Sequence, residues 1–342
     1  MNRTATKFFA SVFFALGMAG AALAEDPQQI PAQQACVGTD MYAGAEKSDP
    51  ALFETVSAAA KTVENTEAIF WKVEKAGVPP SHLFGTIHIT DPRVTQLPPK
   101  AKAALESAKV VALEFVGGEE AATKSVLEGA GDLLIYKDGK TLDAQLTPDE
   151  FGQVKKLIEK SGLPGDVATL IRPWFISMLL SLSECERKKI ETGAKALDTI
   201  IEADAKARGA ALVGLETPDS QLKALTSVPE AQQVLMLKAG LKYADRTNDT
   251  LETLIQMYLK RNIGAAMPFN IALAAKHSIP ASAFDDFVRI LVTERNAKMR
   301  DGAIPLIEKG DAFIAVGALH LPGSNGLVKL LRDKGYTVTA AE

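Results

Sequence analysis

Two of the four histidines in this chain share one setting, three residues after a glycine that closes an apolar run: Phe84-Gly85-Thr86-Ile87-His88 and Val316-Gly317-Ala318-Leu319-His320. A glycine at such a point lets something approach the backbone closely, and the histidine emerges where strand becomes loop. Two other apolar runs close on a glutamate, Val111-Ala112-Leu113-Glu114 and Val213-Gly214-Leu215-Glu216. A carboxylate there is costly to bury unless it meets a cation, a metal or several donors. Ligands of α/β sheets gather at the carboxyl ends of strands, so these four ends could meet in one crevice. Two histidines with one or two glutamates suit zinc, manganese, cobalt or iron. Water on such an ion becomes a nucleophile near neutral pH, and a nearby glutamate can take its proton. His88, His320, Glu114 and Glu216 are therefore the candidate metal ligands, with both glutamates also candidate catalytic groups. A lone histidine or strand-end glutamate is more often structural, and it is the repeated context that favours a site. Arg93, five residues after His88, could hold a substrate carboxylate or a developing oxyanion, or could close its own loop with a salt bridge. Glu294-Arg295-Asn296, inside a helix, carries the same ambiguity, while His82 and His277 read as ordinary residues.

The elements that must position these groups alternate. A strand over 68–76 is followed by the Gly77-Val78-Pro79-Pro80 turn, which returns it antiparallel into the first histidine strand. Pro98-Pro99 opens a helix through Ala108, and the strand to Glu114 follows. Residues 118–210 turn helical. Thr147-Pro148-Asp149-Glu150 is a capping box, Gly162 ends that helix, and Trp174–Leu182 is apolar but too short to span a membrane. A helix over 197–208, closed by Gly209, feeds the strand that ends at Glu216. Residues 221–309 are again helical, with Pro229, Pro268 and Pro280 as breaks, before the second histidine strand, a helix and a last strand over 336–340. The expected fold is α/β: a central mixed sheet flanked by helices, with large helical insertions at about 118–210 and 221–309 in a domain covering 66–342. The paired order of histidine and Leu-Glu strands would also suit a degenerate internal duplication.

The N-terminus carries Arg3 and Lys7, an apolar run from Phe8 to Leu23, and Ala22-Leu23-Ala24 before Glu25. That order predicts a cleavable secretory signal over 1–24, cut after Ala24, with 25–65 as an N-terminal segment and a periplasmic or secreted destination. Cleavage would remove two positive charges and take the net charge from −4 to −6. A mildly acidic chain without basic runs argues against nucleic acid and anionic lipid as partners. The only cysteines, Cys36 and Cys185, are expected to form a disulfide in that oxidising compartment. There is no His-Glu-x-x-His and no Gly-x-Ser-x-Gly. Gly139-Lys140-Thr141 would need a glycine where Leu134 stands, so a phosphate loop is not supported.

Taken together, Phe84 to His88 with Asp91-Pro92-Arg93, Leu113-Glu114, Gly214-Leu215-Glu216-Thr217 with Gln221, Glu294-Arg295-Asn296, and Val316 to His320 with Pro322-Gly323 and Gly326-Leu327 resemble the TraB/GumN family. That family is similar to the animal Tiki proteins and, more distantly, to erythromycin-esterase and ChaN-like proteins. The early cysteine and Ser183-Glu184-Cys185-Glu186 resemble its secreted GumN-like bacterial branch. The resemblance implies an α/β fold built on the two Gly-x-x-His motifs. It also implies metal-dependent protease chemistry through His88, His320 and either Glu216 or Glu114. The reading is a metal-dependent hydrolase using Mn, Co or Zn, acting on a peptide or another small substrate. An esterase-like hydrolase with a histidine base, and a non-catalytic binding protein, are the alternatives.

Overall fold

In a computed structural model, residues 35–118, 121, 124, 125 and 131–342 are described. The expected signal segment and its cleavage site lie outside them.

Six strands form one mixed sheet: β1 (Phe70–Glu74), β2 (Ser81–Thr86), β3 (Val110–Leu113), β4 (Ala211–Gly214), β5 (Ala312–Gly317) and β6 (Thr337–Ala340), in the order β4-β3-β5-β2-β1-β6. β1 and β2 form the expected antiparallel hairpin, whose turn places Gly77 at φ 76°. β6 adds antiparallel to β1 and docks the C-terminus at the sheet edge. The other four run parallel: Leu83 opposite Ile314, Leu113 opposite Ala315, and Leu113 opposite Gly214. Their carboxyl ends therefore share one edge, with the ends of β4, β3, β5 and β2 side by side.

Alternation along the central strands supplies both faces of the sheet, as buried parallel strands require. Phe84, Val111, Phe313 and Ala315 pack into one core with the helices α1 (Pro99–Ser107), α2 (Leu197–Ala207) and α3 (Thr247–Leu259). Leu83, Ala112, Ile314 and Val316 pack into the opposite core with α4 (Glu294–Ile307) and α5 (Leu327–Asp333). The stacked rings of Phe84 and Phe313, 5.9 Å apart, tie β2 to β5 on the first face.

Between β3 and β4, the helix Pro148–Lys160 starts at the expected Thr147–Glu150 capping box, and Gly162 follows its end at φ 81°. The apolar segment at Trp174 forms the helix Pro173–Ser181, which buries Trp174, Phe175, Ile176 and Leu179. No helix among the described residues is long and apolar enough to cross a membrane. Between β4 and β5, Pro229 and Pro280 begin elements as expected, but Pro268 sits in the first turn of the helix Ala266–Ala275, where a missing N–H costs nothing. Cys36 and Cys185 form the expected disulfide.

Candidate functional site

β2 and β5 place their motifs against each other, and the two glycines differ in what they allow. A Cβ on Gly85 would stand 2.7 Å from Leu321 Cδ1, 3.0 Å from Ala318 Cα and 3.1 Å from Ala318 Cβ. Gly85 is thus where the backbone of one motif meets the other. A Cβ on Gly317 would stand 3.2 Å from Glu114 Oε1, 3.5 Å from His88 Nε2 and 3.6 Å from His320 Cδ2. Gly317 therefore keeps open the space on which two histidines and a glutamate converge.

Each of these groups is held from behind. His320 is buried at 6% exposure, and its Nδ1 lies 2.6 Å from Asn296 Oδ1. The Asn296 amide donates its Nδ2 to the carbonyl of Asn325, which fixes its orientation and makes the His320 Nδ1 the protonated nitrogen. The Nε2 lone pair is then free, 3.7 Å from Glu114 Oε1. Burial lowers the His320 pKa to about 4, so the ring is neutral at pH 7. The Nδ1 of His88 meets Asp198 Oδ2 at 2.8 Å, and the Thr86 hydroxyl donates to the other oxygen of Asp198. The Asp198 charge raises the His88 pKa toward about 9, an attraction that solvent screens because the His88 side chain is 62% exposed.

Glu114, next after β3, accepts the Gly317 N–H at Oε1, and accepts from Arg295 at 2.6 Å and Gln221 at 3.0 Å on Oε2. Burial alone would raise its pKa, but the charges of His320, His88 and Arg295 and the Gly317 amide hold it down at about 2. His320 is neutral at pH 7, so there the His88 charge, Arg295 and the amide keep Glu114 ionised. Among the described residues, the side chain of Glu216, one strand further, reaches Arg295 and Gln221. It lies behind the guanidinium and balances it.

The structure thus brings together His88, His320 and Glu114, with Glu216 behind Arg295. It does not place Arg93 with them. Four of the five Arg93 N–H donors go to Asp91 and Glu252, so the guanidinium closes its own loop and is not aimed at a substrate oxyanion. His82 stacks on Phe70, and His277 packs edge-on to Tyr243.

Sequence reasoning left Arg295 and Asn296 undecided and did not find Asp198. Arg295 and Asn296 open α4 directly after a π-helical turn, Arg289–Thr293, of a kind frequent at functional sites. Asp198 had one local signal, an acid in the first turn of α2.

Among the described residues, no group of three or more His, Cys, Asp or Glu side chains stands at the spacing that holds a metal ion. The donor chemistry nevertheless fits one: two imidazoles each oriented by a hydrogen bond at Nδ1, as metal-bound histidines are, and a carboxylate oxygen, around a cradle that a single Cβ would fill.

The model of the TraB/PrgY/gumN family matches residues 69–340. The chain belongs to this family. It is 22% identical over 321 residues to a protein of Nematostella vectensis described as a metalloprotease TIKI homolog, with 80% of this chain and 67% of that protein covered. It is 24% identical to metalloprotease TIKI2 of Xenopus tropicalis, covering 81% of this chain and 60% of the other. The chain thus spans about two thirds or less of the length of these relatives. It is also 21% identical to the uncharacterized protein YbaP of Shigella flexneri, over 74% of this chain and 88% of that one. No solved structure matches.

Proposed function

We propose that this protein is a metal-dependent hydrolase acting on peptide bonds in the periplasm or outside the cell. The observation that carries this is the convergence of the His320 and His88 rings and Glu114 Oε1 on the open space at Gly317, each histidine held through Nδ1. The kinship with TIKI metalloproteases supports the reaction class, and the disulfide supports an oxidising compartment.

His320 and His88 would hold the ion through Nε2 and Glu114 through Oε1. A divalent ion such as Mn, Co or Zn would supply an activated water and polarise the scissile carbonyl. Arg295 keeps Glu114 ionised, and Glu216 balances Arg295 and fixes its plane. His88 is the exposed member, so substrate meets the site from its side, and the ring is oriented by Asp198 to pass a proton to the leaving amine if it is not a ligand.

One observation favours a second reading. His88 Nδ1 on Asp198 is the base-and-orienter half of a hydrolytic triad, which could activate water without a metal. Elemental mass spectrometry of the mature protein, wild type against folded His88→Ala and His320→Ala, separates the two. About one transition metal per chain, lost in both variants, with chelator-sensitive peptide cleavage, supports the metal site. Hydrolysis that survives chelation in a metal-free protein selects the second reading. No metal uptake from Mn, Co or Zn and no hydrolysis would sink both.

A further inference from the structure

A cavity of about 580 Å³, within the range of small-molecule sites, lies beside the candidate site. Its apolar wall includes Trp174, Met178, Met236, Met267, Phe287 and Leu319. Two wall residues connect it to the chemistry. Leu319, 40% exposed, immediately precedes His320, and the carbonyl of Leu291 accepts from Arg295.

The polar side chains of the wall decide what could fill it. Gln233 donates to the carbonyl of Val228, Asn270 to Ala266 and Tyr243 to Leu273. Ser181, Thr247 and Thr250 likewise donate to backbone carbonyls of their own turns. Ser177 Oγ alone in this wall is buried without a hydrogen-bond partner. A peptide backbone threaded here would bury several carbonyls with one unpartnered hydroxyl and the second N–H of Gln233 and of Asn270 to receive them, at a cost of roughly 1–3 kcal/mol for each left unpaired. An aliphatic chain has no such requirement, and flexible methionines suit its variable path.

We propose that this cavity binds the acyl chain of an acylated peptide, and that Leu319 delivers the adjoining amide to the site at His320. The assignment of the reacting bond rests on the hydrolase reading; the binding of the chain does not. Hydrolysis adds water across the C–N bond, gives a carboxylic acid and an amine, and needs no other reactant. Holding the inert chain would position that bond, as remote binding energy does in hydrolases.

The test uses dansyl-labelled undecanoic acid and the mature protein. Saturable one-site binding is expected, displaced by an N-dodecanoyl peptide at concentrations at least tenfold below those of its N-acetyl form. Gly240 faces the cavity from within the helix Glu230–Leu241, where a new Cβ would meet only Leu180 Cδ1 at 3.6 Å. Gly240→Leu, shown to be folded by its thermal melt, should bind the probe at least tenfold more weakly. His320→Ala should lose hydrolysis yet still bind the probe saturably at one site, which keeps a failure of the hydrolase reading distinct from a failure of this one. Binding equal in Gly240→Leu and wild type, no saturable binding, or equal displacement by the two peptides would overturn the cavity's role. With binding intact, equal kcat/KM for the two peptides would overturn its link to the reaction.

Discussion

Gly317→Ala tests the site with little disturbance elsewhere. Gly317 has φ −53° and ψ 135°, which any residue adopts, so a methyl group brings no backbone strain. Through the unfolded state, such a substitution stabilises by about 0.4–1 kcal/mol. Against this stands the 3.2 Å approach of the new Cβ to Glu114 Oε1, a carboxylate already pinned by Arg295, Gln221 and the Gly317 amide. Overpacking of this kind costs about 1–3 kcal/mol, so the net loss should be roughly 0–2.6 kcal/mol and the protein should remain folded. The same methyl group stands 3.5 Å from His88 Nε2 and 3.6 Å from His320 Cδ2, in the space where their lone pairs would meet a ligand. Metal content and hydrolysis should fall at least 100-fold, about 2.7 kcal/mol, while a thermal melt moves by only a few degrees. Gly85→Ala is the control. Its Cβ strikes the backbone of Ala318 at 3.0 Å, which cannot swing aside, so stability and activity should fall together. Normal metal loading and turnover in Gly317→Ala would refute the convergence of these groups on a bound ion.

Further outcomes follow from the disulfide and from the Arg93 cluster. Cys36→Ser with Cys185→Ser opens a loop of sequence separation 149, for which chain entropy predicts a loss of about 5 kcal/mol. Bonds from Thr39 to Asp249 and from Met41 to Thr253 still hold the segment and reduce that figure. A fall in Tm on the order of 10 °C is expected, and a shift under about 2 °C would show that the bridge constrains little. The same variant should loosen the His88 loop, because Glu186, next to Cys185, accepts the N–H of Thr90. Acid should destabilise the protein through the Arg93 cluster. Hydrogen bonds from Arg93 lower the Glu252 pKa from 4.5, and for Asp91 they outweigh a burial that would raise it from 3.8. Because both folded values lie below the unfolded ones, this stability is present above about pH 4.5 and is lost as pH falls through the lowered values. Arg93→Met should cost about 3 kcal/mol at pH 7, as breaking a largely buried pair does. Its stability should then rise on mild acidification as Asp91 and Glu252 protonate, and denaturant melts from pH 7 to 4 that fall in parallel with the wild type would refute this account.

Much of this site was legible because its signals are local. A glycine before a strand-end histidine, an apolar run closing on a glutamate and a Thr-x-x-Glu cap each act over a few residues, and the structure reproduces the strands and cap they imply. Two cysteines in one chain left a single intramolecular pairing. The partners that orient the histidines were not legible in this way. Asp198 lies 110 residues from His88, and Asn296 lies 24 from His320 on a helix whose pattern does not say which strand end it crosses. Arg93 was open to two readings until Glu252, 159 residues away, took up its far side.

The sequence by itself determined that two histidines and two glutamates follow strands, since unbroken apolar runs and their breaks are properties of neighbouring residues. Only the tertiary structure decided which glutamate the histidines face. β5 inserts between β2 and β3, an order set by packing helices on both sheet faces, which no single strand encodes. That order seats His320 between His88 and Glu114 and leaves Glu216 one strand away, behind Arg295.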